Sequence, residues 1–489
     1  MSLQQAGPAH LHPGLAASYY KPLKDSDVQR IAEAAMHLLE TNGMVVYTPT
    51  GYDALKRAGA QADEATRIVR MPRSMVEDAI ASNPSSVTLH GREERFHAVL
   101  EKNRVHYGTG GTAIYVLDPD THERRPSTID DVILNARMVQ TLDNVHVFTI
   151  NVFPHDVKDQ NAIDPNRFFH ALDNTTKHVM GGIYSLDGCK RVVEMAEMLA
   201  GGEEALRRAP FVSFITLIIS PFKIDAHYGE MTCYLAGKGL PVVVPTEPIC
   251  GTTSPITLAG NVLTHIAETL GGITMVQAVN RGAPGICGSV GSITNLSNMD
   301  HVGGAIERGM IHAAVSQMAQ HFELPLYSTS GCSDTKEVDV QGGYESAMMS
   351  LLVAMSGANY IHDAAGLMEA DLTVSYEKLA IDDEILGMCQ RVLRGIEVTD
   401  ETLAVELLKQ KKPGEDFLAE MHTVEYMRNE FFTPTVGNRD KRDAYDPQHS
   451  AFNRARAFVS QIRGQEPVSC MQPEIRQQIL SNFDELICV

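Results

Sequence analysis

Few side chains in this sequence are placed to do chemistry, and each one can be named. Glu247 closes the apolar run LPVVVPTE as a carboxylate with no neighbouring cation, and His362 lies in ANYIHDAAG beside a small-residue loop. Tyr107 directly precedes another such loop, GTGGTA. Lys336, in SGCSDTK, is the one lysine placed where a Schiff-base enzyme would want it, since Lys177 precedes its apolar run and Lys223 follows Pro221-Phe222. Each also reads plainly: Lys336 as a solvated loop charge, His362 as a satisfied structural histidine, Glu247 as a surface carboxylate.

The residue types that are missing narrow the chemistry further. The sole H-x-H, His10-Leu-His12, sits in a Pro/Gly-containing tail with no strand before it, so a metal-hydrolase ligand set is not expected. The eight cysteines (189, 233, 250, 287, 332, 389, 470 and 488) show no C-x-x-C spacing and read as reduced, mostly buried thiols of a cytoplasmic protein. Tryptophan is absent, so any aromatic lining must come from Tyr and Phe. A net charge of −20 with no Lys/Arg cluster argues against nucleic acid. No uninterrupted apolar run reaches membrane-spanning length, and no membrane is expected as a partner.

The elements that would hold these residues recur along the chain. Seven short apolar runs, at 145–153, 178–185, 211–220, 240–247, 285–290, 325–331 and 358–366, are each followed by a helical stretch, and VHYGTGGTAIYVLD (105–118) supplies an eighth. Runs apolar on both sides imply a buried parallel sheet with helices outside. Eight such units close into a (β/α)8 TIM barrel. An open nucleotide-binding sheet fits less well, because Gly108-Thr-Gly110-Gly-Thr-Ala113 leads into the β-rich IYVLD instead of a helix. The reading is an α/β chain with an N-terminal α+β extension (1–104), a TIM-barrel catalytic domain (105–395) and a C-terminal helical tail (396–489) that packs on the barrel or on a neighbouring subunit. In the extension a helix from Asp25, capped by Asp25 or Ser26 and ended by Gly43, precedes extended pieces near 44–47, 68–71 and 87–90. Functional groups of a barrel sit at strand C-terminal ends, which here include Tyr107, Phe153, Tyr184, Phe222, Glu247, Ser328 to Asp334, His362 and Asp363.

Five segments together carry a resemblance: GTGGTAIYVLD, NVFPHDV, VVPTEPICGTTSPITLAGNVL, SGCSDTKEVDVQGGYESA and YIHDAAGL. From about residue 20 to 465 the sequence resembles the trimethylamine methyltransferase family of corrinoid-dependent methyltransferases. The resemblance implies a TIM barrel whose mouth receives the corrinoid (cobalamin) of a separate carrier protein, with no cofactor bound tightly by this chain. Archetypal members carry pyrrolysine, whereas this sequence has standard residues throughout and resembles the branch acting on quaternary amines. The expected activity is methyl transfer from a quaternary amine, foremost glycine betaine, to the Co(I) corrinoid of the cognate corrinoid protein. Proline betaine, carnitine, another methylamine, or a non-catalytic amine-binding role are the alternatives. On that reading Tyr107, Phe153, Tyr184 and Phe222 offer ring faces to the cationic head, and Glu247 is a further candidate for the pocket. His362, Lys336 or loop N–H groups offer donors to a betaine carboxylate. No catalytic acid or base is assigned, and a homo-oligomer is expected.

Overall fold

A computed structural model describes residues 14–487; His10, His12 and Cys488 lie outside the described residues. Eight parallel strands form the barrel: β1 (Arg104–Tyr107), β2 (Val147–Thr149), β3 (His178–Gly182), β4 (Val212–Ile215), β5 (Val242–Thr246), β6 (Gly285–Ser289), β7 (Leu326–Thr329) and β8 (Tyr360–His362). Neighbours in sequence pair in register, for example Val179 with Val212 and Val242 with Gly285. Tyr360 then pairs with His106, and a Gly108–Val147 bridge with a 2.8 Å bond from His146 N to Tyr107 O closes the ring. Gly108 is glycine for a steric reason: a Cβ there would lie 2.1 Å from the Tyr360 hydroxyl.

Eight helices surround the strands: α1 (Ile129–Thr141), α2 (Gln160–Asn174), α3 (Leu186–Ala200), α4 (Ala226–Lys238), α5 (Leu258–Val279), α6 (Ile306–His321), α7 (Val340–Ser356) and α8 (Tyr376–Arg394). Side-chain N-caps set several starts: Ser185, Asp225, Thr257, Asp339 and Ser375 each accept from a backbone N–H of the first turn. Among the described residues α5 alone is long and apolar enough, by composition, to cross a bilayer, but 83% of its apolar window is buried inside the protein. Its glycines admit close neighbours, Met44 at Gly271 and both Ile218 and Val244 at Gly272.

The N-terminal helix spans Asp25–Thr41, and its cap differs from expectation: Lys24 occupies the cap position with no side-chain bond, while Asp25 and Asp27 lie in the first turn. Gly43 (φ +75°) follows the helix and its N–H bonds to Leu38 O at 2.9 Å. Strand Met44–Val46 pairs with Lys223–Ile224 of the loop after β4, tying the extension to the barrel. A hairpin of Ser86–Leu89 and Ala98–Glu101 plugs the N-terminal end of the barrel. Its Val87, Leu89, Ala98 and Leu100 pack with Met180, Val243, Ile286 and Tyr360 from the strands.

At the opposite end the loops form small sheets of their own. Run 105–118 is not one strand, because Tyr115–Leu117 leaves the barrel to join Arg124–Pro126, Thr373–Val374 and Leu367–Met368. A second sheet joins Ile249–Cys250, Ser292–Thr294 and His301–Val302. In the C-terminal part, Ala451–Arg463 packs against α8 and α1, and Pro473–Asn482 against α3. The expected single helix ETLAVELLKQ breaks at Ala404 (φ +51°) into Asp400–Leu403 and Val405–Gln410.

Candidate active site

The C-terminal ends of the strands open into a cavity of about 1060 Å3. Its wall is tyrosine and carboxylate: Tyr184 after β3, Tyr228 on α4 and Tyr327 on β7, with Glu247, Asp300, Asp334, Asp363, Glu369 and Asp371 as acids. The basic side chains on the same wall are Arg124 and Lys336, besides His301 and His362. Arg124 is already paired with Glu369 at 2.8 Å.

Tyr184 is fixed from below by α2. Asp164 Oδ2 accepts its backbone N–H at 2.7 Å, and the Arg167 guanidinium lies 5.0 Å from its ring centre. Phe153 meets the Tyr184 ring edge-on at 5.3 Å. Deeper in, the Tyr327 ring stacks on His362, with centroids 3.9 Å apart. Burial pushes the Tyr327 phenol well above its ordinary range, so it stays neutral.

The acidic side of the cavity is organised by Arg308, which α6 places in the interior with no exposed surface. Its Nη1 donates to Asp371 Oδ2 at 3.0 Å and to Gly303 O at 3.2 Å, and Nη2 lies 3.8 Å from Asp363 Oδ2. His301 Nε2 lies 3.2 Å from the same Asp371 oxygen, and its Nδ1 is 3.9 Å from Glu247. Burial opposes ionisation of Asp371, yet the Arg308 guanidinium and the His301 contact outweigh it and hold this carboxyl well below the usual range. For Glu247 burial wins over His301 and Arg308, and its pKa is raised. Cys332 Sγ and one oxygen each of Asp363 and Asp371 lie within 4.8 Å of one another, a metal-type ligand set, but the positive charge at this spot is already supplied by Arg308. Burial raises the Cys332 thiol well above its ordinary value.

Of the residues singled out from sequence, Tyr184, Glu247, Lys336 and His362 line this cavity together. Lys336 stands exposed at its rim, with Nζ donating to Asp334 O at 2.6 Å. Tyr107, Phe153 and Phe222 do not line it. Tyr107 is fully buried on the helix-facing side of β1, against His146 and near Cys389 of α8, because alternation along the strand turns its side chain away from the interior. Phe153 stands behind Tyr184 in an apolar cluster with Ile129 and Ile163. Phe222 belongs to the joint with the extension: its N–H donates to Glu268 at 2.7 Å and its carbonyl accepts from Val45 N at 2.9 Å. Sequence reasoning passed over Tyr228, Tyr327, His301, Arg308 and Asp371, and carried Asp363 only as a strand-end position. Arg308 stands in the first turn of a helix of mixed composition, IERGMIHAAVSQMAQH, and Asp371 sits in a loop, so nothing local marks either one.

An eight-stranded parallel barrel with a large cavity at the C-terminal ends of its strands has the architecture of a TIM-barrel enzyme. The profile of the trimethylamine methyltransferase (MTTB) family matches residues 5–484, and the chain belongs to that family. It is 34% identical over 430 residues to the trimethylamine methyltransferase MttB of Desulfitobacterium hafniense (strain DSM 10664 / DCB-2), covering 88% of this chain and 85% of that one. It is 29% identical over 461 residues to the glycine betaine methyltransferase of Desulfitobacterium hafniense (strain Y51), covering 93% and 95%. The crystal structure of the Methanosarcina barkeri monomethylamine methyltransferase (MtmB) shares the fold, with a TM-score of 0.50 at 14% identity over 92% of this chain and 96% of that one.

Proposed function

We propose that this methyltransferase moves a methyl group from a quaternary amine, with glycine betaine the foremost substrate, to the Co(I) corrinoid of a separate carrier protein. The observation that carries this reading is the cavity itself: ring faces from Tyr184, Tyr228 and Tyr327 beside a surplus of carboxylates suit a permanent organic cation. The likeness to a glycine betaine methyltransferase over nearly the whole chain supports the choice of substrate.

The reaction balances without a proton. The C–N bond breaks with its electron pair staying on nitrogen, so a quaternary ammonium leaves as a neutral tertiary amine. The reduced corrinoid, delivered by the partner, supplies the nucleophile. What remains for this chain is to bind the cation, orient one N–CH3 bond toward the mouth and exclude water, effects worth up to about 7–11 kcal/mol when reactants are well aligned. The neutral buried phenol of Tyr327 fits that role, since it offers a face and no charge. Lys336, exposed at the rim, is the donor available to a betaine carboxylate, since His362 Nε2 is taken up by Thr329.

The test is a substrate panel of glycine betaine, proline betaine, carnitine, choline and trimethylamine, each added with the protein and a reduced corrinoid carrier. Glycine betaine should discharge the Co(I) absorbance fastest. Turnover of trimethylamine with no response to any quaternary amine would overturn the proposal.

A further inference from the structure

Asp363 is 1% exposed, yet it lines the cavity and its Oδ1 makes no hydrogen bond. The nearest polar group is the adjacent His362, whose Nδ1 lies 2.8 Å away but out of hydrogen-bond alignment. His362 is already committed on its other side. The Thr329 hydroxyl gives its proton to Ser289 O at 2.9 Å, so His362 Nε2, 2.6 Å from Thr329 Oγ1, is the donor in that contact. Asp371 is better supplied: Oδ2 is taken by Arg308 and His301, and the Cys332 thiol faces the same carboxylate. Asp363 and Asp371 thus set two carboxyl groups against the one Arg308 guanidinium beside the cavity, and Asp363 Oδ1 is left without a protein hydrogen bond.

The backbone is bent to present these groups. Asp363 has φ +57°, and the hairpin tip that carries Asp371 holds three consecutive non-glycine residues in the left-handed region, Glu369, Ala370 and Asp371, at +53°, +52° and +71°. Conformations of this kind persist where the surrounding structure enforces them, and they gather at ligand sites. Gly110 is glycine because the Asp363 carboxyl packs against it: a Cβ there would stand 2.3 Å from Asp363 Oδ1 and 2.5 Å from His362 Nδ1. A small, strongly charged metal ion would be pushed back by Arg308 at this spot, whereas a diffuse organic cation needs no fixed coordination.

Resting on the quaternary-amine reading above, we propose that Asp363 and Asp371 form the seat for the trimethylammonium head of the substrate. The probes are choline and its uncharged carbon isostere 3,3-dimethylbutanol, titrated calorimetrically into the wild-type protein, Asp363→Asn and Asp371→Asn. Thermal midpoints check that each variant is folded. The wild type should prefer choline by roughly tenfold or more, and each substitution should shrink that preference severalfold while leaving the isostere's affinity in place. Should Asp363→Asn fail to fold, Asp371→Asn, whose side chain is 21% exposed, carries the test. A wild-type protein without the preference, or variants that retain it in full, would overturn the seat. No corrinoid carrier takes part, so a choline preference that depends on these carboxylates in a protein inactive in methyl transfer would sink only the reaction, while turnover with an unchanged preference in the variants would sink only the seat.

Discussion

Tyr107 and Tyr184 carry the same ring into opposite surroundings, and their substitutions should separate cleanly. Tyr107→Ala opens a hole between β1 and α8 and should cost about 3–5 kcal/mol of stability with ligand affinity preserved. Tyr184→Ala removes a half-exposed ring from the cavity wall and should weaken glycine betaine binding by about 1–2 kcal/mol, with Tyr184→Phe close to wild type. Denaturant titration and calorimetry on both pairs check this, and a binding loss in Tyr107→Ala equal to that in Tyr184→Ala would contradict it. The pair also shows what residue types alone conceal. Both tyrosines end apolar runs beside small-residue stretches, and a period of two does not say which face of β1 looks inward. Arg308 and Asp371 are partners across 63 positions, a pairing that no local pattern displays.

Helix α2 shows how an element positions a site from outside it. Asp164, buried beside Arg167, accepts the N–H groups of Tyr184 and Ser185 and so fixes the loop that carries the tyrosine. Burial outweighs Arg167 and these bonds and pushes its carboxyl up to about 6. Between the ordinary value near 4 and about 6 the folded chain therefore holds a proton that the unfolded chain has lost. The stabilisation from that proton is complete below about pH 4 and is lost as pH rises through about 6. Relative to Asp164→Asn, the wild type should lose stability over that interval on raising the pH, as unfolding in urea at several pH values would show; parallel profiles would refute it. The bottom hairpin gives a second expectation at this scale: Leu100→Ala, at a position with no exposed surface under the barrel, should cost about 2–5 kcal/mol by thermal or chemical unfolding. The eight strand–helix units are legible because a doubly buried strand needs an apolar run whatever its partners. The rim sheets are not, since pieces such as His301–Val302 and Leu367–Met368 are two residues long and owe their pairing to distant chain.

For the molecule as a whole, the segment from 396 to 431 leaves much apolar surface uncovered. Ile396, Leu418, Met421 and Phe431 are 84%, 81%, 76% and 71% exposed, and no residue of helix Met421–Glu430 is buried. Apolar surface on this scale is a feature of association sites, and the protein is expected to sediment as a homo-oligomer. Met421→Glu combined with Val424→Glu should shift it toward the monomer, and an unchanged mass would count against this segment as the contact. The family resemblance was legible in sequence over most of the chain, because the motifs that carry it are loops at strand ends. The plugged base of the barrel has a kinetic meaning of its own. Among the described residues the chamber is floored by a hairpin and opens at the strand C-terminal ends, and on the proposed reaction that doorway is also where the carrier protein must sit. The amine therefore has to be inside before the carrier arrives, and the demethylated product waits until the carrier departs. Initial-rate measurements should then follow a compulsory order, amine first and spent amine last, so that the lifetime of the protein–protein encounter sets how long each product molecule is held.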